Sequence, residues 1–327
     1  MAEHRAWVRD LRPGDEVDEI YAVRSKEVRQ RRGGGPFLAL TLGDRTGAVA
    51  ALVWENVDAI GPALPVGALT RIRGQVQRYN QKLQVVIRRA AAVPAEEVDE
   101  GVFVRASRRD PEDLWRELQE TIGEVADSHL RQLLFRVFAD PEVVERFRVA
   151  PAARSLHHAY RSGLIEHTLS MTAAARLLAR HYRLDEGLVL AGALLHDLGK
   201  IWELESTPSI EYTDDGRLLG HLPMEVLYVD RRIAELGAFP AETRRQLLHI
   251  LLSHHGEYEY GSPRRPKTPE AMLVHLADNL DSKLAGMLEA IAADGGEDEP
   301  WSAFSRILER HVYRRTAPTE SARSQDE

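Results

Sequence analysis

The chain has 327 residues, 43% hydrophobic and 29% charged, with no cysteine, which allows roughly two domains of ordinary globular composition. No apolar run approaches the ~20 residues that span a bilayer, residues 1–10 lack an apolar signal core, and disulfides and thiolate metal sites are excluded, as expected for a cytoplasmic protein. The net charge of −8 is unevenly spread: residues 1–95 carry 15 Lys+Arg and 10 Asp+Glu (+5), the remainder 28 and 41 (−13), a split that suits a polyanion-binding module joined to a different one.

Residues 1–14 read as an N-terminal extension. Over 15–90, five short apolar segments at 17–23, 37–42, 47–53, 69–76 and 83–89 read as strands. Leu38, Leu40 and Leu42 alternate with Phe37, Ala39 and Thr41, the period-2 signature of a half-buried strand. Gly43-Asp44-Arg45-Thr46-Gly47 and Tyr79-Asn80-Gln81-Lys82 read as turns. Five strands in about 75 residues with little helix predict a small closed barrel of the OB (oligonucleotide-binding) type.

Holding a single strand requires cations for phosphates and aromatic faces for bases. Arg29, Arg31 and Arg32 fall beside Gly33-Gly34-Gly35, in an expected loop between the first two strands, and Phe37, Trp54 and Tyr79 are candidate stacking platforms. The bland readings are a solvated arginine loop and rim packing of the aromatics. Arginine outnumbers lysine 38 to 5, so a single arginine carries little information.

Residues 91–110 read as a linker. Asp110-Pro111 then opens a helix, with Asp110 as N-cap and proline at the first helical position. From 111 to 315 the pattern is helical and predicts an all-α bundle; 316–327 is polar and expected to be disordered. No internal repeat is present.

The chemistry-bearing residues lie in the helical part. In the helix predicted from 164 to 181, His167, Met171, Ala174 and Leu178 share one face. A histidine on such a stripe is more often a satisfied core residue than a ligand. The helix predicted over 186–198 is apolar on nearly all sides, yet it ends in His196-Asp197-Leu198-Gly199-Lys200. Burying an aspartate and a lysine without partners costs several kcal/mol. A cation beside Asp197 and an anion beside Lys200 would satisfy both; so would an Asp197–Lys200 salt bridge, which leaves His196 unexplained. His221 stands where another helix begins. His254-His255 closes the helix over 241–253, with Gly256 as its stop. Asp278 falls inside the helix over 271–291, among Met272, Leu273, Leu276, Ala277 and Leu280, a setting that requires a partner.

Seven ligand-type side chains exceed the four or so that one ion takes, so they suggest two ions sharing a carboxylate bridge. Two close metals suit phosphoester displacement, one holding the attacking oxygen and the other the leaving oxygen. A His and carboxylate donor set favours manganese, with iron or cobalt as alternatives.

The order His, His-Asp, His, His-His, Asp on successive helices resembles the HD phosphohydrolase superfamily in its dinuclear form. The resemblance implies a first metal held by His167, His196, Asp197 and Asp278, and a second by His221, His254 and His255 with Asp197 bridging. It also implies that Lys200 contacts a substrate phosphate. The run from His157 to Thr168 (HHAYRSGLIEHT), Gly220-His221-Leu222, Leu252-Ser253-His254-His255-Gly256 and the barrel segment with Asp44-Arg45-Thr46-Gly47 together resemble the YhaM-type 3′–5′ exoribonucleases, over about residues 15–315. Ser162 stands where that family leads one to expect glycine.

The implied activity is stepwise removal of nucleoside 5′-monophosphates from the 3′ end of single-stranded RNA, with single-stranded DNA as a further substrate. Asp197 and Lys200 are then the catalytic candidates, and His157, His158, Tyr160, Arg161 and Lys200 the substrate-binding ones. Two rivals stand beside this reading: an HD hydrolase of a nucleotide or cyclic dinucleotide, and a non-enzymatic single-strand-binding protein. A homo-oligomer is left open.

Overall fold

The structure, a computed structural model, describes residues 6–31, 33–79, 82–94, 98, 103, 106–107, 109–154, 158–206, 210–292, 300–302, 304–305 and 308–314. Of the residues singled out above, Arg32, Asn80, Gln81 and His157 lie outside them, as does the expected tail at 316–327.

The first domain is a closed five-stranded barrel. Its strands β1 (Glu16–Gln30), β2 (Pro36–Asp44), β3 (Gly47–Val53), β4 (Leu69–Tyr79) and β5 (Lys82–Ala92) run in the order β1-β2-β3-β5-β4. The barrel closes where β1 pairs antiparallel with β4, and β3 meets β5 in parallel. Leu38, Leu40 and Leu42 point into a core shared with Val49, Ala51, Val53, Ile72 and Val85. A short helix α1 (Val57–Ile60) follows β3, and its Ile60 joins that core. Asp44 organises the turn after β2: it is buried and accepts from the backbone N–H groups of Val8, Thr46 and Gly47 and from the Thr46 hydroxyl.

One expectation fails here. Arg29 is a strand residue opposite Phe37, ion-paired with Glu27 at 2.7 Å. The ladder continues to the Gln30–Pro36 pair because nothing in that stretch breaks an extended backbone, so the loop contracts onto the glycines.

Phe103 packs on Ile20, Ala22 and Leu69 of the barrel. Ser107 then donates its N–H to the carbonyl of Arg161 within the second domain.

The second domain contains α2 (Pro111–Gly123), α3 (Ser128–Phe138), α4 (Pro141–Phe147), α5 (Gly163–Tyr182), α6 (Glu186–Leu195), α7 (Lys200–Glu203), α8 (Asp214–Leu218), α9 (His221–Glu235), α10 (Ala241–Ser253) and α11 (Pro269–Ala292). Asp110, Asp127, Asp140 and Asp185 each cap a helix by accepting backbone N–H groups, as N-terminal donors require. α6 is apolar all round and packs against α3, α5, α10 and α11, so it forms the centre of the core. Among the described residues no helix is long and apolar enough to cross a membrane.

The structure corrects the helical reading in three places. The α6 helix ends at Leu195, and His196 to Gly199 form a turn. Gly199 makes this possible: a Cβ there would stand 2.2 Å from the carbonyl oxygen of His221. A hairpin of β6 (Leu204–Ser206) and β7 (Ile210–Tyr212) interrupts the bundle, and the described residues of 300–314 hold isolated bridges instead of helix. On α11 only Ala271, Leu273, Val274 and Ala277 are buried; Met272, Leu276 and Leu280 are exposed.

The departure at Ser162 has a structural consequence. It holds a left-handed backbone, φ 64°, at the start of α5, which costs a non-glycine residue roughly 1–2 kcal/mol. Its hydroxyl donates to the carbonyl of Arg148 at 2.7 Å.

Candidate metal centre

His167 comes from α5, His196 and Asp197 from the turn after α6, His221 from the first residue of α9, His254 and His255 from the end of α10, and Asp278 from α11. The helix ends converge because α5, α10 and α11 all pack on α6. His167, His196, Asp197, His221 and His254 are buried, and His255 and Asp278 are partly so.

Asp197 lies at the centre, and its two oxygens face different histidines. Oδ2 is 3.2 Å from His196 Nε2 and 3.6 Å from His167 Nε2. Oδ1 is 3.6 Å from His221 Nε2 and 3.7 Å from His254 Nε2. Asp278 Oδ1 adds to the first group, 3.3 Å from His167 Nε2 and 4.0 Å from His196 Nε2. His255 Nε2 adds to the second, 3.1 Å from His221 Nε2. Two donors each about 2.1 Å from a common ion are roughly 3.0–3.6 Å apart; most of these spacings fall in that range, and the 3.7 Å and 4.0 Å ones lie above it.

The tautomers agree with that reading. Each of the five histidines binds an acceptor through Nδ1: Asp281 Oδ2 for His167 (2.7 Å), the Ala193 carbonyl for His196 (2.8 Å), Glu203 Oε1 for His221 (2.9 Å), the Leu251 carbonyl for His254 (2.9 Å) and the Tyr260 carbonyl for His255 (2.8 Å). Carbonyls and carboxylates only accept, so Nδ1 carries the proton and, in each neutral ring, Nε2 presents a lone pair. The buried Nε2 atoms of His196 and His254 have no hydrogen-bond partner. The facing Nε2 atoms of His221 and His255 cannot bond each other as neutral rings. A cation in each group would satisfy all of them, so the residues fit two metal ions.

Burial, the largest influence, holds His221 and His254 below the ordinary histidine value and pushes His255 down to about 4. These rings are therefore neutral donors. His167 goes the other way: burial opposes protonation, but Asp278 and Asp281 outweigh it and raise the ring to about 9. In Asp197 burial is outweighed by Lys200 and the histidines, and the carboxyl stays ionised.

Lys200 Nζ lies 2.7 Å from Asp197 Oδ2, so the i, i+3 salt bridge is present. That bridge leaves the neighbouring lone pairs unsatisfied. The lysine retains 15% side-chain exposure and so reaches toward solvent beside the centre.

Among the substrate-binding candidates, His158 lies 3.5 Å from Asp281 Oδ2. Its Nδ1 contacts the Tyr160 hydroxyl at 2.8 Å, and that hydroxyl donates to Glu166 at 2.9 Å. Arg161 is exposed. On the barrel, Phe37 and Trp54 stack on one another at 4.7 Å, and the Arg31 guanidinium lies 5.3 Å from the Trp54 ring. Tyr79 is exposed at the end of β4.

Three functional residues escape sequence reasoning. Asp281 and Glu203 anchor His167 and His221. Glu225 is fully buried, accepts the Gly199 N–H at 3.3 Å and is held well above the usual carboxyl range by burial and then by Asp197. Asp281 had a signal, three residues after Asp278 on one helix; Glu225 had a weaker one, four after His221; Glu203 had none. We expect Asp281→Asn, which can present an amide N–H to His167, to weaken binding of the first metal about 10–100-fold while leaving the fold intact. Competition with a metal indicator would measure this, and unchanged affinity would remove Asp281 from the centre.

The family model for the HD domain matches residues 164–283, and that for an OB-fold nucleic acid binding domain matches 22–91. The chain is 33% identical to the 3′-5′ exoribonuclease YhaM of Geobacillus sp. (strain WCH70), over 83% of this chain and 83% of that one. It is also 33% identical to the YhaM of Shouchella clausii (strain KSM-K16), over 87% and 89%. Among solved structures, the second OB-fold domain of replication protein A from Methanococcus maripaludis aligns at 19% identity, over 27% of this chain and 93% of that one, with a TM-score of 0.22.

Proposed function

The chain belongs to the family of YhaM 3′–5′ exoribonucleases, and on that premise we propose that it is a metal-dependent hydrolase that shortens single-stranded RNA from its 3′ end, releasing nucleoside 5′-monophosphates. The observation that carries the mechanism is the division of the two Asp197 oxygens between two groups of histidines. His167, His196, Asp197 and Asp278 would hold one ion, and His221, His254, His255 and Asp197 the other. Their nitrogen and oxygen donors, with no thiolate, suit manganese first and iron or cobalt next. Two such ions supply charge stabilisation at phosphorus and an activated water.

The protein's own groups do the rest. The Nδ1 anchors fix each imidazole before substrate arrives, so no reorganisation is needed during reaction. Lys200 is placed to turn from Asp197 to a non-bridging phosphate oxygen. His158 and Tyr160, tied to Asp281 and Glu166, border the His167 side, where a terminal nucleotide can be held. The barrel grips the strand through Arg31 and the Phe37–Trp54 pair, with Tyr79 as a further stacking face.

RNA labelled at its 5′ end should shorten in one-nucleotide steps, with nucleoside 5′-monophosphates as the product. Internal cuts, or hydrolysis of free nucleotides alone, would contradict the assignment.

A further inference from the structure

An open cleft of about 370 Å³ lies along α10, apart from the metal centre. Arg244, Arg245 and His249 border it from the helix, and Arg264 and Lys267 from the segment that follows. Leu248 and Leu252 line it as half-buried side chains, whereas the four cations are exposed. Two of the cations are already paired, Arg244 with Asp230 at 2.6 Å and Arg245 with Glu242. Arg264 and Lys267 are anchored by their backbones: the Arg264 N–H donates to the Leu252 carbonyl at 3.3 Å and the Lys267 N–H to His249 Nε2 at 2.9 Å. No carboxylate among the described residues pairs with either side chain. With Nε2 occupied, the neutral His249 ring carries its proton on Nδ1 and adds a donor.

Charge and position both point to a strand of nucleic acid. Residues 241–268 carry five Lys+Arg and three Asp+Glu (+2), in a part of the chain whose balance is −13. A cationic cleft on an otherwise acidic domain draws in an anionic ligand. On α10 the lining residues fall at i, i+1, i+4, i+5 and i+8 from Arg244, one side of the helix. The helical backbone continues through His254, and His255 stands three residues past Leu252 on that side. Arg244 is about 16 Å from His255 along the axis, so the cleft leads up to the His255 edge of the metal centre. At that edge Tyr258 and Tyr260 are 56% and 69% exposed, and the Arg265 guanidinium lies 5.1 Å from the Tyr258 ring. The Tyr260 carbonyl is the acceptor that orients His255. Cations beside exposed aromatic faces are what a single strand requires. With the terminal nucleotide on the His167 side, the strand 5′ to the scissile phosphate leaves past the other group of histidines.

We propose that this cleft is a second contact for single-stranded RNA: Arg264 and Lys267 bind backbone phosphates upstream of the scissile linkage, and Tyr258 and Tyr260 stack on the bases between the cleft and the metals. The direction of the strand rests on the exonuclease reading above; the contact itself does not.

Fluorescence anisotropy of the metal-loaded full chain with a labelled phosphorothioate RNA, which keeps the backbone charge, tests this across salt concentrations. Each phosphate contact on a single strand contributes about 0.7 to the slope of log affinity against log salt. Arg264→Gln/Lys267→Gln should therefore lower that slope by about 1.4 and weaken binding on the order of 20-fold at about 0.1 M salt, with circular dichroism and metal content unchanged. Arg183→Gln, at the far end of α5 about 24 Å from His167, should leave the slope as it is. An unchanged slope in the double variant would overturn the proposal; if that variant then loses binding of adenosine 5′-monophosphate, the cleft serves a free nucleotide instead. The wild-type chain gives a check that needs no substitution. 4-Thiouridine placed a few nucleotides upstream of the 3′ end should cross-link within residues 258–267, and cross-links confined to the barrel would also overturn the proposal. None of these readouts requires hydrolysis, so the cleft and the enzymatic assignment can fail separately.

Discussion

Asp197→Ala is expected to reduce hydrolysis by about 10⁴-fold or more, the scale on which removing one member of a catalytic unit acts. It should also lower the metal content from two ions per chain to one at most. Among the described residues no other carboxylate is positioned to replace it: Asp278 Oδ1 faces His167 and His196, and Glu203 is engaged with His221. The substitution also removes the partner of Lys200. Breaking a fully buried ion pair costs about 3–5 kcal/mol, but Lys200 is 15% exposed and can turn to water, so the stability loss should be smaller. Asp197→Asn preserves the shape and removes the charge. It should match the alanine variant in activity if the bridge is what matters. A variant retaining two metals and wild-type rate would end the two-metal reading.

Removing the metals should destabilise the helical domain as well as inactivate it. A ligand at 1,000 times its Kd contributes about 4 kcal/mol, which corresponds to a fall in Tm of roughly 10 °C for a domain of this size. The effect should depend on pH in a defined direction. In the metal-free chain His167 is raised to about 9 against about 6.5 unfolded. Its stabilising contribution is therefore complete below pH 6.5 and is lost as pH rises to 9. Metal binding needs that ring neutral, so the Tm difference between loaded and stripped protein should widen over that window. His255, at about 4 when folded, acts on the other side. The unfolded chain takes up its proton first, so the stripped protein loses stability as pH falls from about 6.5 to 4. Calorimetry of both forms at pH 6.5 and 9 tests this, and an equal Tm difference at the two would contradict it.

Much of the architecture was legible in the sequence because it rests on local rules. The alternation at Phe37 to Leu42 needs only the two faces of a strand, and Asp110-Pro111 needs only the donors at a helix start. The seven ligand-type residues could be selected because buried polar groups demand partners. What local pattern could not supply was the division of Asp197 between two groups of histidines, which sequence offered only through the family resemblance, or the identity of the Nδ1 anchors. His167 and Asp281 are 114 residues apart, and no local pattern relates them. The same limit shows on α11. Sequence places Asp278 among Met272, Leu273, Leu276, Ala277 and Leu280 without saying which of them face inward; the packing of α5 and α6 buries Leu273, Val274 and Ala277 and leaves Met272, Leu276 and Leu280 exposed. Side-chain period is a property of the backbone helix, whereas what covers each face depends on contacts made across the whole chain.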